Sequence, residues 1–130
     1  MRPARPQTRA GGVATDAAPA DHQPPAPIAT PPLLRTVRMT FRPDRLGDFL
    51  ALFREARPRI AAAPGCRHLE LWEDARFPNV LTTFSHWDSA DALDAYRRSD
   101  LFRETWAETK PLFAAPPVAH SQFRMWNSEG

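Results

Sequence analysis

Three side chains in the second half of the chain could take part in chemistry on a small organic molecule: His86, Tyr96 and Trp106. A histidine titrates near neutral pH, so it can act as a general base and remove a proton from a bound molecule. A tyrosine hydroxyl can donate a hydrogen bond to a ligand oxygen, and a tryptophan offers a broad apolar surface. Tyr96 and Trp106 lie ten residues apart, so an unbroken helix would present both on one face. We therefore predict His86 and Tyr96 as candidate catalytic residues and Trp106 as part of a pocket.

Each of these residues also has a structural interpretation. His86 could hydrogen-bond the backbone or lie in a subunit interface, and Tyr96 and Trp106 could be ordinary core residues. His68 and His120 are weaker candidates for the base, each on a segment with strand-like alternation. The sequence leaves these alternatives open.

The elements that must position these residues follow from the spacing of apolar side chains. Alternation with period two predicts strands at 33–41, 66–74, 80–87 and 118–126, with Pro116-Pro117 as a linker before the last. Pro43 is typical of the first residue of a helix, and Pro58 should kink that helix or end its regular part. Pro64-Gly65 should stop it. An apolar stripe supports this helix, formed by Leu46, Phe49, Leu50, Phe53 and Ile60.

A second helical region follows the third predicted strand. Asp88 or Ser89 should cap its first turn, since a side-chain oxygen there can accept from exposed backbone N–H groups. Leu93 and Tyr96 should share its buried face, and Ser99 predicts a break and a second cap. Pro111 should end the helical region.

The order strand, helix, strand, strand, helix, strand predicts an α+β fold. Short connections and right-handed crossovers favour a ferredoxin-like βαββαβ antiparallel sheet with helices on one face. The other sheet face would then be uncovered while carrying apolar residues such as Leu34, Leu81 and Phe123. Because large exposed apolar faces usually mark interfaces, we predict a homodimer formed through the open sheet face.

Composition limits the class of protein. The 130 residues favour one domain, and a net charge of +2 gives no reason to expect a nucleic-acid partner. No apolar run approaches the roughly 20 residues of a membrane helix, so no membrane partner is expected. A single cysteine, Cys66, fits a reducing compartment, and we expect a cytoplasmic protein.

The first part of the chain differs from the rest. Residues 1–32 are rich in proline and alanine and contain no aromatic residue, so we predict a disordered tail. Residues 33–126 should form the folded domain, with residues 127–130 frayed. No two histidines have ligand spacing and there is no Gly-rich phosphate loop, so we expect neither a metal nor another cofactor.

Three segments together resemble the antibiotic biosynthesis monooxygenase family: Pro64-Gly65-Cys66, Ser85-His86-Trp87-Asp88-Ser89, and the helical stretch from Tyr96 to Trp106. The similarity extends over about Leu34 to Trp126. It implies a dimeric α+β barrel, in agreement with the predicted fold. It also implies a cleft between helices and sheet that takes small aromatic molecules.

The resemblance bears on function in two ways. The haem-degrading branch uses an asparagine, a tryptophan and a histidine where this chain has Val37, Tyr96 and Trp106, so the axial iron ligand is missing and haem degradation is disfavoured. The expected activity is a cofactor-independent monooxygenase that oxidises a small phenolic, quinol or polyketide-like aromatic substrate with O2. The expected substrate-binding residues are Val37, Met39, Phe84, Phe102 and Trp106.

The alternative, from a different class, is a non-catalytic dimeric α+β barrel module that binds a small hydrophobic ligand. A pocket lined by Tyr96, Trp106 and a histidine would favour the enzyme. A helix–sheet interface filled by side chains would favour the module.

Overall fold

A computed structural model describes residues 31–129 of the chain. Its elements in chain order are β1 (Leu33–Phe41), α1 (Leu46–Ala61), β2 (Cys66–Glu73), β3 (Val80–Trp87), α2 (Ala90–Arg97), α3 (Asp100–Thr109) and β4 (Phe113–Phe123). The strands form one antiparallel sheet in the order β2-β3-β1-β4, with the helices packed on one face. The predicted ferredoxin-like α+β fold is confirmed. Residues 1–30 of the predicted tail lie outside the described residues.

The core lies between the helices and the odd-numbered residues of β1. Met39 and Phe41 are buried there, and the Phe41 ring stacks on Phe49 of α1 with centroids 4.3 Å apart. Leu81 belongs to the same core, and Phe123 pairs with the buried Leu33 across the sheet. Directly paired residues share a sheet face. Leu81, which pairs with Met39, and Phe123, which pairs with Leu33, therefore lie on the helix side.

This corrects part of the expectation for the open face. Of the three apolar residues expected there, only Leu34 lies on it, since its strand neighbours Leu33 and Arg35 point to the helix side. The even-numbered residues of β1 and β3 form the rest of the open face in the centre of the sheet.

Two serine caps divide the second helical region, as predicted. Ser89 Oγ accepts from the backbone N–H of Ala92 at 3.1 Å and begins α2. Ser99 Oγ accepts from the backbone N–H of Phe102 at 3.1 Å and begins α3. The break between the helices lets α2 and α3 pack over different parts of the same sheet face.

The last strand differs from its predicted bounds, and Pro58 does not end α1. The strand β4 begins at Phe113 and includes Pro116-Pro117, which were expected to be a linker. Pairing with β1 is irregular there, and β4 is an edge strand, so prolines that lack an N–H cost few ladder hydrogen bonds. The helix α1 continues through Pro58 to Ala61.

Gly65 is the glycine that the fold requires. Its φ is +86°, and an added Cβ would lie 2.5 Å from the Cβ of Ala92. Gly65→Ala is therefore expected to lower the free energy of unfolding by about 2–4 kcal/mol, through left-handed strain and the clash together. Gly47→Ala is the matched control, since no atom lies within 4 Å of that Cβ position. In α1 it should raise stability by about 0.5–1 kcal/mol. Urea denaturation measures the free energy of unfolding of both variants. Equal changes in the two variants would contradict this prediction.

Candidate active site

A cavity of about 260 Å³ lies between the sheet and all three helices. It exists because the sheet presents small side chains at the centre of its helix-side face. Val37 of β1 pairs with Thr83 of β3 on one side and Ala119 of β4 on the other. On the far side of this row from Arg35, the larger Met39 closes the floor with apolar surface, and its partner Leu81 belongs to the core beside it. The cavity lining includes Arg35, Val37, Met39, Phe49, Phe53, Thr83, Ser85, Trp87, Tyr96, Arg97, Phe102, Trp106 and Ala119.

The next row of the floor is polar. Arg35 pairs with Ser85 of β3 and with Ser121 of β4, and its guanidinium donates to Ser121 Oγ at 2.9 Å. Burial lowers the pKa of Arg35, the nearby charge of Arg97 lowers it further, and Asp94 partly offsets both. Arg35 stays cationic because an arginine pKa lies far above neutral pH. The floor thus changes from apolar to cationic along β1.

The wall opposite the floor is aromatic. Tyr96 of α2 stacks on the buried Trp87 with ring centroids 4.9 Å apart. It also meets the edge of Phe102 at 5.3 Å, and Phe102 in turn stacks on Trp106 of α3 at 5.8 Å. Such a row of rings suits a flat apolar ligand. The expectation that Tyr96 and Trp106 share a face is met even though the helix is broken between them.

The Tyr96 hydroxyl is a hydrogen-bond donor at neutral pH. Burial, together with the nearby Cys66 thiol, raises the pKa of Tyr96 to about 12. The phenol therefore stays protonated and cannot serve as a base under ordinary conditions. Within residues 31–129 the Tyr96 hydroxyl takes part in no hydrogen bond, and only the Tyr96 backbone oxygen accepts one, from Ser99 Oγ. The hydroxyl is therefore available to a ligand oxygen.

The structure does not bring His86 and Phe84 to this cavity. His86 pairs with His68 on one side and Leu34 on the other, and Phe84 pairs with Thr36. All of these lie on the open sheet face, opposite the helices. Strand alternation puts His86 and Phe84 on the same face of β3, and the helices cover the other face. Neither side chain lines the cavity within one subunit, so a catalytic role for His86 would require a site other than this cavity.

The open face carries an ordered cluster of its own. His68 Nε2 contacts the Glu70 carboxylate, and Trp72 Nε1 donates to the same carboxylate at 2.6 Å. These two contacts lower the pKa of Glu70, the Trp72 hydrogen bond most strongly. Trp72 stacks on Phe84 with centroids 5.2 Å apart. The described part of the chain contains no cluster of three side chains arranged to bind a metal.

Sequence analysis did not identify Arg35, Arg97, Thr83 and Ser85 as site residues. A signal was present for Arg35, because it is the one charged residue on the apolar face of β1. Thr83 and Ser85 gave no signal, since short polar side chains are common in strands. Four of the predicted substrate-binding residues line the cavity, namely Val37, Met39, Phe102 and Trp106, and so does Tyr96, which was predicted as catalytic. Their roles stay predictions. Among residues 31–129, no histidine and no carboxylate lines it.

No helix in the described region is long and apolar enough to cross a membrane. Comparison with family models finds a match over residues 32–108 to the family described as antibiotic biosynthesis monooxygenase. A search of curated proteins finds no match.

Solved structures share the fold over about three quarters of the chain. Rv0793 from Mycobacterium tuberculosis is 26% identical, with a TM-score of 0.69 over 75% of this chain and 98% of that one. A Bordetella bronchiseptica protein named provisionally as an antibiotic biosynthesis monooxygenase is 26% identical, with a TM-score of 0.67 over 75% and 100%. A protein of the same provisional name from Caulobacter crescentus is 20% identical, with a TM-score of 0.70 over 75% and 93%. The last similarity concerns the fold alone.

Proposed function

The chain belongs to the antibiotic biosynthesis monooxygenase family, and from this premise we propose that it is a cofactor-independent monooxygenase. Its substrate would be a small phenolic, quinol or polyketide-like aromatic molecule, oxidised with O2. The observation that carries the proposal is the aromatic-walled cavity of about 260 Å³ between sheet and helices. Family membership alone does not determine the reaction, because one fold can host many activities.

The reaction balances without an added reductant. A phenol whose para carbon bears hydrogen reacts with one O2 to give a quinone and one water. Reduction of O2 takes four electrons. The substrate supplies all of them, two as its O–H bond breaks and two as its para C–H bond breaks. One oxygen atom becomes the new carbonyl and the other leaves as water. The protein has to bind the ring, stabilise the substrate anion that gives the first electron to O2, and limit access of water.

The cavity residues divide these tasks. The ring would pack on Val37 and Met39 against the faces of Phe102 and Trp106, all of which line the cavity. Tyr96 would donate its hydroxyl to the substrate oxygen as negative charge develops there. Among residues 31–129, no side chain that lines the cavity is suited to accept the proton at neutral pH, so the substrate would lose it to water on binding.

A second candidate function is the non-catalytic binding module. The observation that favours it is the absence of histidine and carboxylate side chains from the cavity lining within residues 31–129. Such a module would bind an aromatic ligand in the same cavity without consuming O2.

We also propose a homodimer formed through the open sheet face. The exposed stack of Trp72 on Phe84 and the half-buried Leu34 supply apolar surface for it. Sedimentation velocity at micromolar concentration is expected to give the mass of a dimer. A monomeric mass at that concentration would contradict this proposal.

Oxygen uptake distinguishes the enzyme from the module. Purified protein is tested with a panel of hydroquinones, naphthols and polycyclic phenols, with a metal chelator present and heat-denatured protein as the blank. We expect uptake above the blank with at least one compound, with one quinone formed for each O2 consumed. Tyr96→Phe, which keeps the stacked ring, should lower kcat by about tenfold to hundredfold because one hydrogen-bond donor to the anion is lost. No uptake across the panel would favour the binding module.

A further inference from the structure

We propose that the cavity selects aromatic molecules that carry an anionic oxygen, bound by Arg35 and Arg97 at the polar row of the floor. This inference rests on the proposed function for the identity of the cavity as the substrate site, and it specifies the substrate class. The ligand would be an aromatic carboxylate, or a phenol or enol acidic enough to bind as its anion.

Arg35 is a cation that forms no ion pair within residues 31–129. It is half-buried, and Ser121 Oγ is its hydrogen-bond acceptor in the described part of the chain. Within residues 31–129, no carboxylate lies within 4.0 Å of its guanidinium. A guanidinium has five N–H donors, so one hydroxyl acceptor leaves most of them for water or a ligand. A desolvated and unpaired cation at a cavity wall is stabilised by an incoming anion.

The charged side chains that line the cavity within residues 31–129 are all positive. Arg35 and Arg97 line the cavity, whereas no aspartate or glutamate among residues 31–129 does. Asp94 is the acidic group that acts on Arg35, and its exposed side chain neutralises only part of the positive charge. Arg97 is exposed and Arg35 half-buried, so the cationic end of the cavity is the one nearer to solvent.

The opposite end cannot accept charge. Met39 and Phe49 are buried there, and Phe53 continues the apolar surface along α1. A ligand with a flat apolar body and a charged oxygen at one edge satisfies both ends at once. A neutral ring of the same shape would fill the apolar end but leave Arg35 unpaired.

An anionic substrate also accounts for a cavity that no histidine or carboxylate among residues 31–129 lines. The field of two guanidinium groups lowers the pKa of a bound phenol or enol, because a nearby positive charge favours the deprotonated form. The proton then leaves to water at the mouth of the cavity, and no side chain has to accept it.

Matched ligand pairs test the inference independently of turnover. Calorimetry under nitrogen compares benzoate with benzamide, 1-naphthoate with 1-naphthamide, and anthracene-9-carboxylate with its carboxamide. The members of each pair have nearly the same shape and differ in charge. In the wild-type protein we expect the best carboxylate to bind about tenfold to hundredfold more tightly than its amide, as charge-assisted hydrogen bonds contribute. Arg35→Gln should reduce that ratio to about one, Arg97→Gln should reduce it in part, and Arg35→Lys should restore part of it.

Arg98→Gln is the matched control, because Arg98 is an exposed neighbour that does not line the cavity. It removes the same charge and should leave the ratio unchanged. Equal affinities within every pair in the wild type, no binding by any of the six ligands, or a preference that persists in both Arg35→Gln and Arg97→Gln would overturn the inference. Oxygen uptake on neutral phenols without carboxylate preference would refute it while leaving the proposed function intact. A preference for carboxylates without any oxygen uptake would support the inference that the cavity selects anionic aromatic molecules, but as a property of the binding module and not of an enzyme.

Discussion

Trp87→Ala is expected to lower the free energy of unfolding by about 3–5 kcal/mol, as large aromatic truncations in cores do. The Trp87 side chain is 1% exposed and packs with Leu33 and Leu93 where β1, β3 and α2 meet. Its Nε1 donates to Ser85 Oγ at 2.9 Å, so alanine would also leave a buried hydroxyl without this partner. Urea denaturation followed by far-UV circular dichroism measures the change.

The same substitution should also affect the site. Trp87 supports the ring of Tyr96 from below at 4.9 Å, so its loss should leave the Tyr96 hydroxyl poorly oriented. Trp126→Ala is the control, since that tryptophan is 79% exposed and lies beyond β4. It should change stability by less than about 0.5 kcal/mol. Similar losses in the two variants would mean that the region around Trp87 is not a packed core.

Val37→Trp is expected to weaken binding of the tightest ligand in the oxygen-uptake panel by at least about hundredfold, which corresponds to ~2.7 kcal/mol. Val37 lies at the centre of the floor, between the small residues Thr83 and Ala119. An indole ring there would occupy space that a ligand needs. Because the cavity is present in the free protein, the added ring should cost about 1 kcal/mol of stability, near the lower end for overpacking.

Val37→Ile and Val37→Ala are the controls for this prediction, since they change the size of the same side chain by less. Isoleucine adds one methylene and should change the affinity by less than about tenfold, and alanine should enlarge the cavity and shift preference toward larger rings. Calorimetry checks all three variants, with thermal melts to establish that each is folded. Undiminished binding in Val37→Trp would show that the ligand binds elsewhere.

Sequence patterning was sufficient for the fold because its signals are local and redundant. The serines at 89 and 99 cap the helices they were expected to cap, and the strands β1 and β3 have the predicted bounds. The start of β4 at Phe113 was missed, because prolines usually exclude a strand and only its edge position tolerates them. That position depends on tertiary pairing, which the local pattern does not contain.

The site was harder to predict than the fold for a related reason. Period two groups residues by face but does not say which face the helices will cover. On β3 both faces are mixed: one carries Leu81 and Trp87, the other Phe84 and His86. Only the register with β1, which pairs Met39 with Leu81, assigns Trp87 to the helix side and His86 to the open side. The cavity itself depends on small side chains from three strands: Val37, Thr83 and Ala119. No single segment of the sequence shows that these three residues lie side by side.

The most direct test compares oxygen uptake by Val37→Trp and His86→Ala on the best phenol of the panel. The cavity lies on the helix side of the sheet, and His86 lies on the other side. If the reaction takes place in the cavity, uptake should be lost in Val37→Trp and retained in His86→Ala at unchanged oligomeric mass. Uptake that persists in Val37→Trp, or that disappears in a folded His86→Ala protein of unchanged mass, would contradict the proposal that this cavity is the active site.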